Sequence, residues 1–143
     1  MTISADAVSS ARGIVRFRAT GPHGDNRIVT DHAPDTGARI DVTTTSIDEF
    51  CASRKVEPAF MKIDVEGAEL DVLQGARHTI AARGGALRLY IEMHPRSWPA
   101  FGSSRDRMQE ELARQRLRAE RIDGNPDIWD LEGVCLRLRR CAS

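Results

Sequence analysis

The sequence predicts an α/β fold whose sheet is parallel at its centre and closes on a C-terminal antiparallel hairpin. Three observations predict it. From Ser46 onward, helical and strand-like segments alternate. Two short apolar runs, Ala59–Val65 and Ala86–Met93, have the length and composition of buried parallel strands. Two further strand-like runs, Arg116–Ile122 and Gly133–Arg139, are joined by the turn-forming Gly124-Asn125-Pro126-Asp127.

Taken in order, Thr2–Val8 alternates weakly and reads as a short strand, and Gly13 opens the strand-like Ile14–Arg18. Residues 21–37 are polar, with Pro22, Gly24, Pro34 and Gly37, and read as an exposed loop. Arg39–Thr44 is β-branched and extended. Ser46 and Glu49 have the spacing of a capping box, so a short helix starts there and ends before Pro58. The strand Ala59–Val65 leads into one helix over Ala68–Ala82, with Leu70, Leu73, Ala76 and Ile80 on one face and Gly84-Gly85 stopping it. After the strand ending at Met93 comes a loop with Trp98 and Phe101. A charged helix over Ser104–Gln115 follows, with Met108 and Leu112 facing inward. The last strand, Gly133–Arg139, alternates and is expected near a sheet edge.

The chain has 143 residues, enough for one domain, with 41% hydrophobic and 29% charged residues, as in an ordinary globular protein. Its 21 basic and 21 acidic residues cancel, so it lacks the basic excess of a nucleic-acid binder. Only Lys55 and Lys62 are lysines, a preference for arginine that matches a GC-rich bacterial coding sequence. No apolar stretch approaches a membrane span, and Met1–Ser10 has no signal-peptide pattern. Cys51, Cys135 and Cys141 are odd in number and lack metal-ligand spacing, which fits a reduced, cytoplasmic protein.

Ligands of open α/β sheets bind beyond the carboxyl ends of the strands, and two strand ends here are polar. The first is Lys62-Ile63-Asp64-Val65-Glu66-Gly67-Ala68-Glu69, and the second is Glu92-Met93-His94-Pro95. Asp64 and Glu66 share parity in extended chain, as do Glu92 and His94, and Gly67 permits a sharp turn into the helix. On neighbouring strands, Asp64, Glu66, Glu92 and His94 would converge on one rim. Such a group can bind a hard divalent cation or deprotonate a hydroxyl, and the sequence assigns no metal to it. Plainer roles stand beside these. Glu66 and Glu69 suit a helix N-terminus, and His94 can bridge a turn. Lys62 can snorkel or pair with an acid. Trp98 and Phe101 can line a pocket or cover a core edge.

The segments Thr43–Phe50, Phe60–Glu69 and Val72–Ala76, followed by Tyr90-Ile91-Glu92-Met93-His94, resemble the signature of FkbM-type methyltransferases. Ala7-Val8-Ser9 and Gly13–Phe17 fit that family's middle region, so the resemblance spans nearly the whole chain. It implies a Rossmann-like class I methyltransferase sheet, with S-adenosylmethionine as donor and a hydroxyl of a sugar or secondary metabolite as small-molecule acceptor. Ala59–Val65 would be the fourth strand of that sheet and Leu87–Met93 the fifth. Asp64, Glu92 and His94 would then be catalytic, with Lys62, Glu66 and Gly67 binding substrate or cofactor.

The family's first strand, with its glycine-rich turn, and its second, with its acidic end, have no counterpart here; residues 1–143 enter the pattern at the third strand. The expectation is a partial domain with an incomplete sheet. It would bind the donor weakly or not at all alone, and would be inactive or dependent on a missing N-terminal half. Two other readings are a non-catalytic assembly module that pairs with a complementing subunit or a second copy, and a metal-dependent hydrolase using Asp64, Glu66, Glu92 and His94.

Overall fold

In a computed structural model the described residues are 3–19, 27–28, 38–125, 127–129 and 132–141. They form two four-stranded sheets. The first holds β1 (Ala7–Val8), β2 (Gly13–Ala19), β3 (Arg27–Ile28) and β4 (Ala38–Thr45), in the order β1-β4-β2-β3. Its backbone is a long antiparallel pairing of β2 with β4, from Gly13 opposite Thr44 to Ala19 opposite Ala38, while β1 joins β4 in parallel. The loop expected over 21–37 contains the short strand β3, paired antiparallel with β2; the rest of it lies outside the described residues.

The second sheet holds the core. It comprises β5 (Phe60–Ile63), β6 (Arg88–Met93), β7 (Leu117–Arg121) and β8 (Val134–Arg140), in the order β5-β6-β8-β7. β5 and β6 run parallel, with Met61 opposite Leu89 and Ile63 opposite Ile91. β8 then lies antiparallel to both β6 and β7. The parallel pair and the antiparallel hairpin are those the sequence predicts. The position of the last strand is not: β8 lies inside the sheet and β7 takes the edge. Its alternation has another cause, since Leu136 and Leu138 are buried while Arg137 and Arg139 face outward. Burial of one face alternates a strand wherever it sits in the sheet.

Helices α1 (Ile47–Arg54), α2 (Glu69–Gln74), α3 (Arg77–Arg83) and α4 (Arg105–Arg114) complete the chain, with a 3-10 turn at Trp98–Phe101. No helix among the described residues is long and apolar enough to cross a membrane. α1 starts as predicted: Ser46 Oγ accepts from Glu49 N, and Glu49 Oε2 accepts from Ser46 N. α4 is capped in the same way, Ser104 Oγ accepting from Arg107 N. Leu70 and Leu73 of α2 and Met108 and Leu112 of α4 pack with Leu89, Ile91, Met93 and Leu136 in one cluster. Burying each such side chain stabilises the fold by about 1.5–3 kcal/mol.

The single helix expected over 68–82 is two helices, broken at Gly75-Ala76. A tertiary contact makes the break. Asp48 N donates to Gly75 O at 2.8 Å, and the Asp48 carboxylate accepts from His78 N and Thr79 N at 3.0 and 2.7 Å. Asp48 thus caps α3 from another helix, where the local cap residue, Ala76, offers no side-chain acceptor. Gly75 is required for the approach, since a Cβ there would lie 2.3 Å from Ser9 O. Periodicity carried the helix through this point because nothing local signals a cap that arrives 30 residues away in sequence.

Asp48→Ala is expected to lower the unfolding free energy by about 1 kcal/mol in chemical denaturation, the usual worth of a lost cap. Gly75→Ala meets backbone rather than a movable side chain, and is expected to cost about 1–3 kcal/mol. An unchanged denaturation midpoint for Gly75→Ala would contradict the close packing of Ser9 against the helix break.

Candidate functional site

The carboxyl ends of β5 and β6 lie side by side, and their acids meet there. Lys62 and Asp64 flank the end of β5, and the Lys62 ammonium lies 2.9 Å from Asp64 Oδ2 and 3.2 Å from Glu92 Oε2. These hydrogen bonds and charges hold the ammonium pKa above its ordinary value. Asp64 and Glu92 are therefore near neighbours, joined through one lysine, which is the plainer of the roles expected for Lys62.

Below this wet layer lies a buried one. Glu69, at the first position of α2, has no exposed surface. Its Oε1 lies 2.8 Å from His94 Nδ1 and accepts from Gly67 N at 2.8 Å; its Oε2 accepts from Trp98 Nε1 at 2.8 Å. Every one of these donors is oriented by a different element: the turn after β5, the end of β6 and the 3-10 turn. With Nδ1 held, His94 turns Nε2 toward Glu66 Oε2 at 3.5 Å and Glu92 Oε1 at 3.9 Å. His94 itself is 5% exposed. Burial works against an imidazolium, but the hydrogen bond and charge of Glu69, with the charges of Glu66 and Glu132, outweigh it and raise the pKa of His94.

The turn that carries Glu66 differs from its expected extended geometry. Glu66 has φ 51°, the left-handed region, so parity does not place it beside Asp64. The turn does so instead: ligand atoms of Asp64, Glu66 and His94 all lie within 4.8 Å of one another. Gly67, at φ 116°, has no room for a side chain, because a Cβ would lie 2.6 Å from Ser97 Cβ and 2.8 Å from the Phe101 ring. This left-handed, closely packed position is the sharp turn into α2 that glycine permits.

All six residues singled out from the sequence, Lys62, Asp64, Glu66, Gly67, Glu92 and His94, thus gather at one sheet rim. Sequence reasoning missed what orients them. A helix start suits Glu69 as a dipole partner, a role its bond to Gly67 N fits, but its partners His94 and Trp98 lie 25 and 29 residues away. Trp98 is 2% exposed and serves this network from the edge of the core. The available signal was a Glu at a helix start facing a strand that ends in His-Pro and is followed by Trp.

The arrangement can hold a cation or accept a hydroxyl proton. The strand-to-helix turn after β5 has one glycine, and its space is filled by Ser97 and Phe101.

A family profile described as the methyltransferase FkbM domain matches residues 6–118. Among solved structures, the crystal structure of the methyltransferase FkbM from Methylobacillus flagellatus KT is similar, with a TM-score of 0.51 and 21% sequence identity. That alignment covers 96% of this chain and 28% of the other, so this chain spans little more than a quarter of its solved relative. At that identity the likeness speaks for the fold. No curated protein matches.

A raised pKa means that the folded state holds the His94 proton more tightly than the unfolded chain. The stability this adds is full below the unfolded pKa and is lost as pH rises through the higher folded value. An NMR titration of metal-free protein is expected to place the His94 midpoint above that of a free histidine, and Glu69→Gln to bring it down. A midpoint below the free value would mean that burial dominates. Trp98→Phe, which strips a donor from a carboxylate out of contact with water, is expected to cost about 1–3 kcal/mol in denaturation.

Proposed function

Because the chain belongs to the methyltransferase FkbM domain family, we propose that it is the acceptor side of an S-adenosylmethionine-dependent O-methyltransferase. Its acceptor is a hydroxyl of a sugar or secondary metabolite. The observation that carries this reading is the convergence of Asp64, Glu92 and His94 on one rim, over a buried carboxylate that fixes the imidazole. S-adenosylmethionine would supply a methyl group on a sulfonium centre. The work left to this chain is to hold the acceptor oxygen and accept its proton. Asp64 and Glu92 present exposed or half-exposed oxygens for the hydroxyl, and Lys62 fixes their spacing. Preset orientation of such groups is worth far more than their intrinsic basicity.

The donor-binding strands belong, in this reading, to polypeptide beyond residues 1–143, either preceding it in frame or on a complementing subunit. Two observations support it. The solved relative is several times the length matched here. Among the described residues β5, one of the two parallel strands at the site, pairs only with β6, and Phe60 on it is 62% exposed. Such an edge normally needs a partner. A purely non-catalytic assembly module would share this edge but would have no use for an oriented histidine above a buried glutamate.

Isothermal titration of the 143-residue chain with S-adenosylmethionine is expected to show no stoichiometric binding. A longer form carrying the donor strands is expected to bind it and to methylate hydroxyl acceptors. His94→Gln, which removes the imidazole of this rim, is expected to lower kcat there by about 10²–10⁴-fold, with KM for the donor little changed. Full activity of His94→Gln would sink the assignment of this rim as the acceptor site.

A further inference from the structure

We propose that Asp64, Glu66 and His94 form a divalent cation site, and that the acceptor hydroxyl binds to the cation held there. The hydroxyl part of this rests on the function proposed above; the cation site does not. Three observations carry it. First, the three side chains come from the end of β5, the following left-handed turn and the end of β6, and their ligand atoms lie within 4.8 Å of one another. A cation at about 2.0–2.2 Å from each ligand draws donors to about 3–4 Å apart, so closing the site asks for small side-chain rotations. His94 Nε2 and Glu66 Oε2, at 3.5 Å, are already there.

Second, His94 is built like a metal ligand. Its side chain is 6% exposed, and Nδ1 is taken by the fully buried Glu69. Nε2 faces the Glu66 and Glu92 carboxylates, 3.5 and 3.9 Å away. A carboxylate behind one imidazole nitrogen fixes the ring and frees the other nitrogen for a cation. Third, the charges do not balance. Glu66, Glu69, Glu92 and Asp64 face one ammonium, Lys62, and an imidazole, with Glu132 also bearing on His94. Lys62 holds one oxygen of Asp64 and leaves the second for a cation. Two carboxylates and one imidazole suit manganese, or magnesium with more of its shell as water.

In this arrangement the cation polarises the acceptor O–H bond, so that the hydroxyl loses its proton near neutral pH. That proton passes to the neighbouring Glu92 carboxylate. The oxygen keeps the electron pair for the new O–C bond, and the bond broken is the donor's S–CH₃.

The test is a titration of the 143-residue chain with Mn²⁺, read by electron paramagnetic resonance, with NMR broadening to locate the ion. One saturable site is expected, with the His94 resonances broadened first. Asp64→Asn and Glu66→Gln, both at exposed positions that leave the core intact, are each expected to weaken it at least about tenfold. Glu69→Gln keeps all three ligands and is expected to weaken it about 10- to 100-fold. Absence of a saturable site, or a site indifferent to Asp64→Asn with Glu66→Gln, would overturn the proposal. Because no donor or acceptor is needed, the two readings fail separately. Methyl transfer that persists in EDTA, with no Mn²⁺ bound, sinks the cation site and spares the function. Mn²⁺ binding without methyl transfer in any longer form does the reverse.

Discussion

A carboxylate out of contact with water organises this protein. Removing an ion from water costs several kcal/mol unless its lone pairs are met by well-placed donors. Glu69 meets that condition with the Gly67 amide, the His94 ring and the Trp98 indole. None of these can move independently. The turn after β5 must bend sharply to present Gly67 N, which is why Glu66 adopts a left-handed conformation and why residue 67 has no side chain. The chain after β6 must fold back to bring Trp98 under the sheet end, which buries His94 in passing. The rim is thus a consequence of satisfying one buried charge, and its groups are placed before any ligand arrives.

The two sheets are linked by a second polar junction of the same logic. Asp48, on the helix that follows the first sheet, supplies the acceptors that α3 lacks, and its own amide bonds Gly75 O. Ser9, whose amide bonds Thr45 O, packs against Gly75 at the same point. The break between α2 and α3 is therefore where the first sheet docks. On the far side of the core, Glu111 receives Arg77 Nε at 2.7 Å and Gln115 Nε2 at 2.7 Å, which ties α3 to α4. Polar groups at these joints set the register of the layers, while Leu73, Ile91, Met108 and Leu136 supply the apolar burial.

Much of this was legible in the sequence because local patterns decide it. The capping box at Ser46, the apolar runs that became β5 and β6, and the amphipathic helix with Met108 and Leu112 inward are set by residues within a turn or two. The six rim residues were legible because polar groups at strand ends have few places to go. What failed depends on distance along the chain. The break at Gly75 is made by Asp48 and Ser9, the burial of Glu69 by His94 and Trp98, and the interior position of β8 by the return of β7 outside it. The parity rule that paired Asp64 with Glu66 failed because it assumes extended chain, and Glu66 had already left it.

The contrast between the two layers of the site says how it is used. Lys62 and Asp64 are 47% and 39% exposed at the side chain, so their ion pair is screened by solvent and adds little stability. An interaction so weak is not there to hold the fold; it keeps two carboxylates at a spacing that their repulsion would otherwise widen. The layer beneath is the opposite, buried and hydrogen-bonded through Glu69, and it sets one imidazole nitrogen. A ligand entering from solvent meets groups that can adjust by a rotamer, backed by one that cannot. In the proposed function, that division gives the acceptor adjustable groups at the surface and a fixed imidazole beneath them.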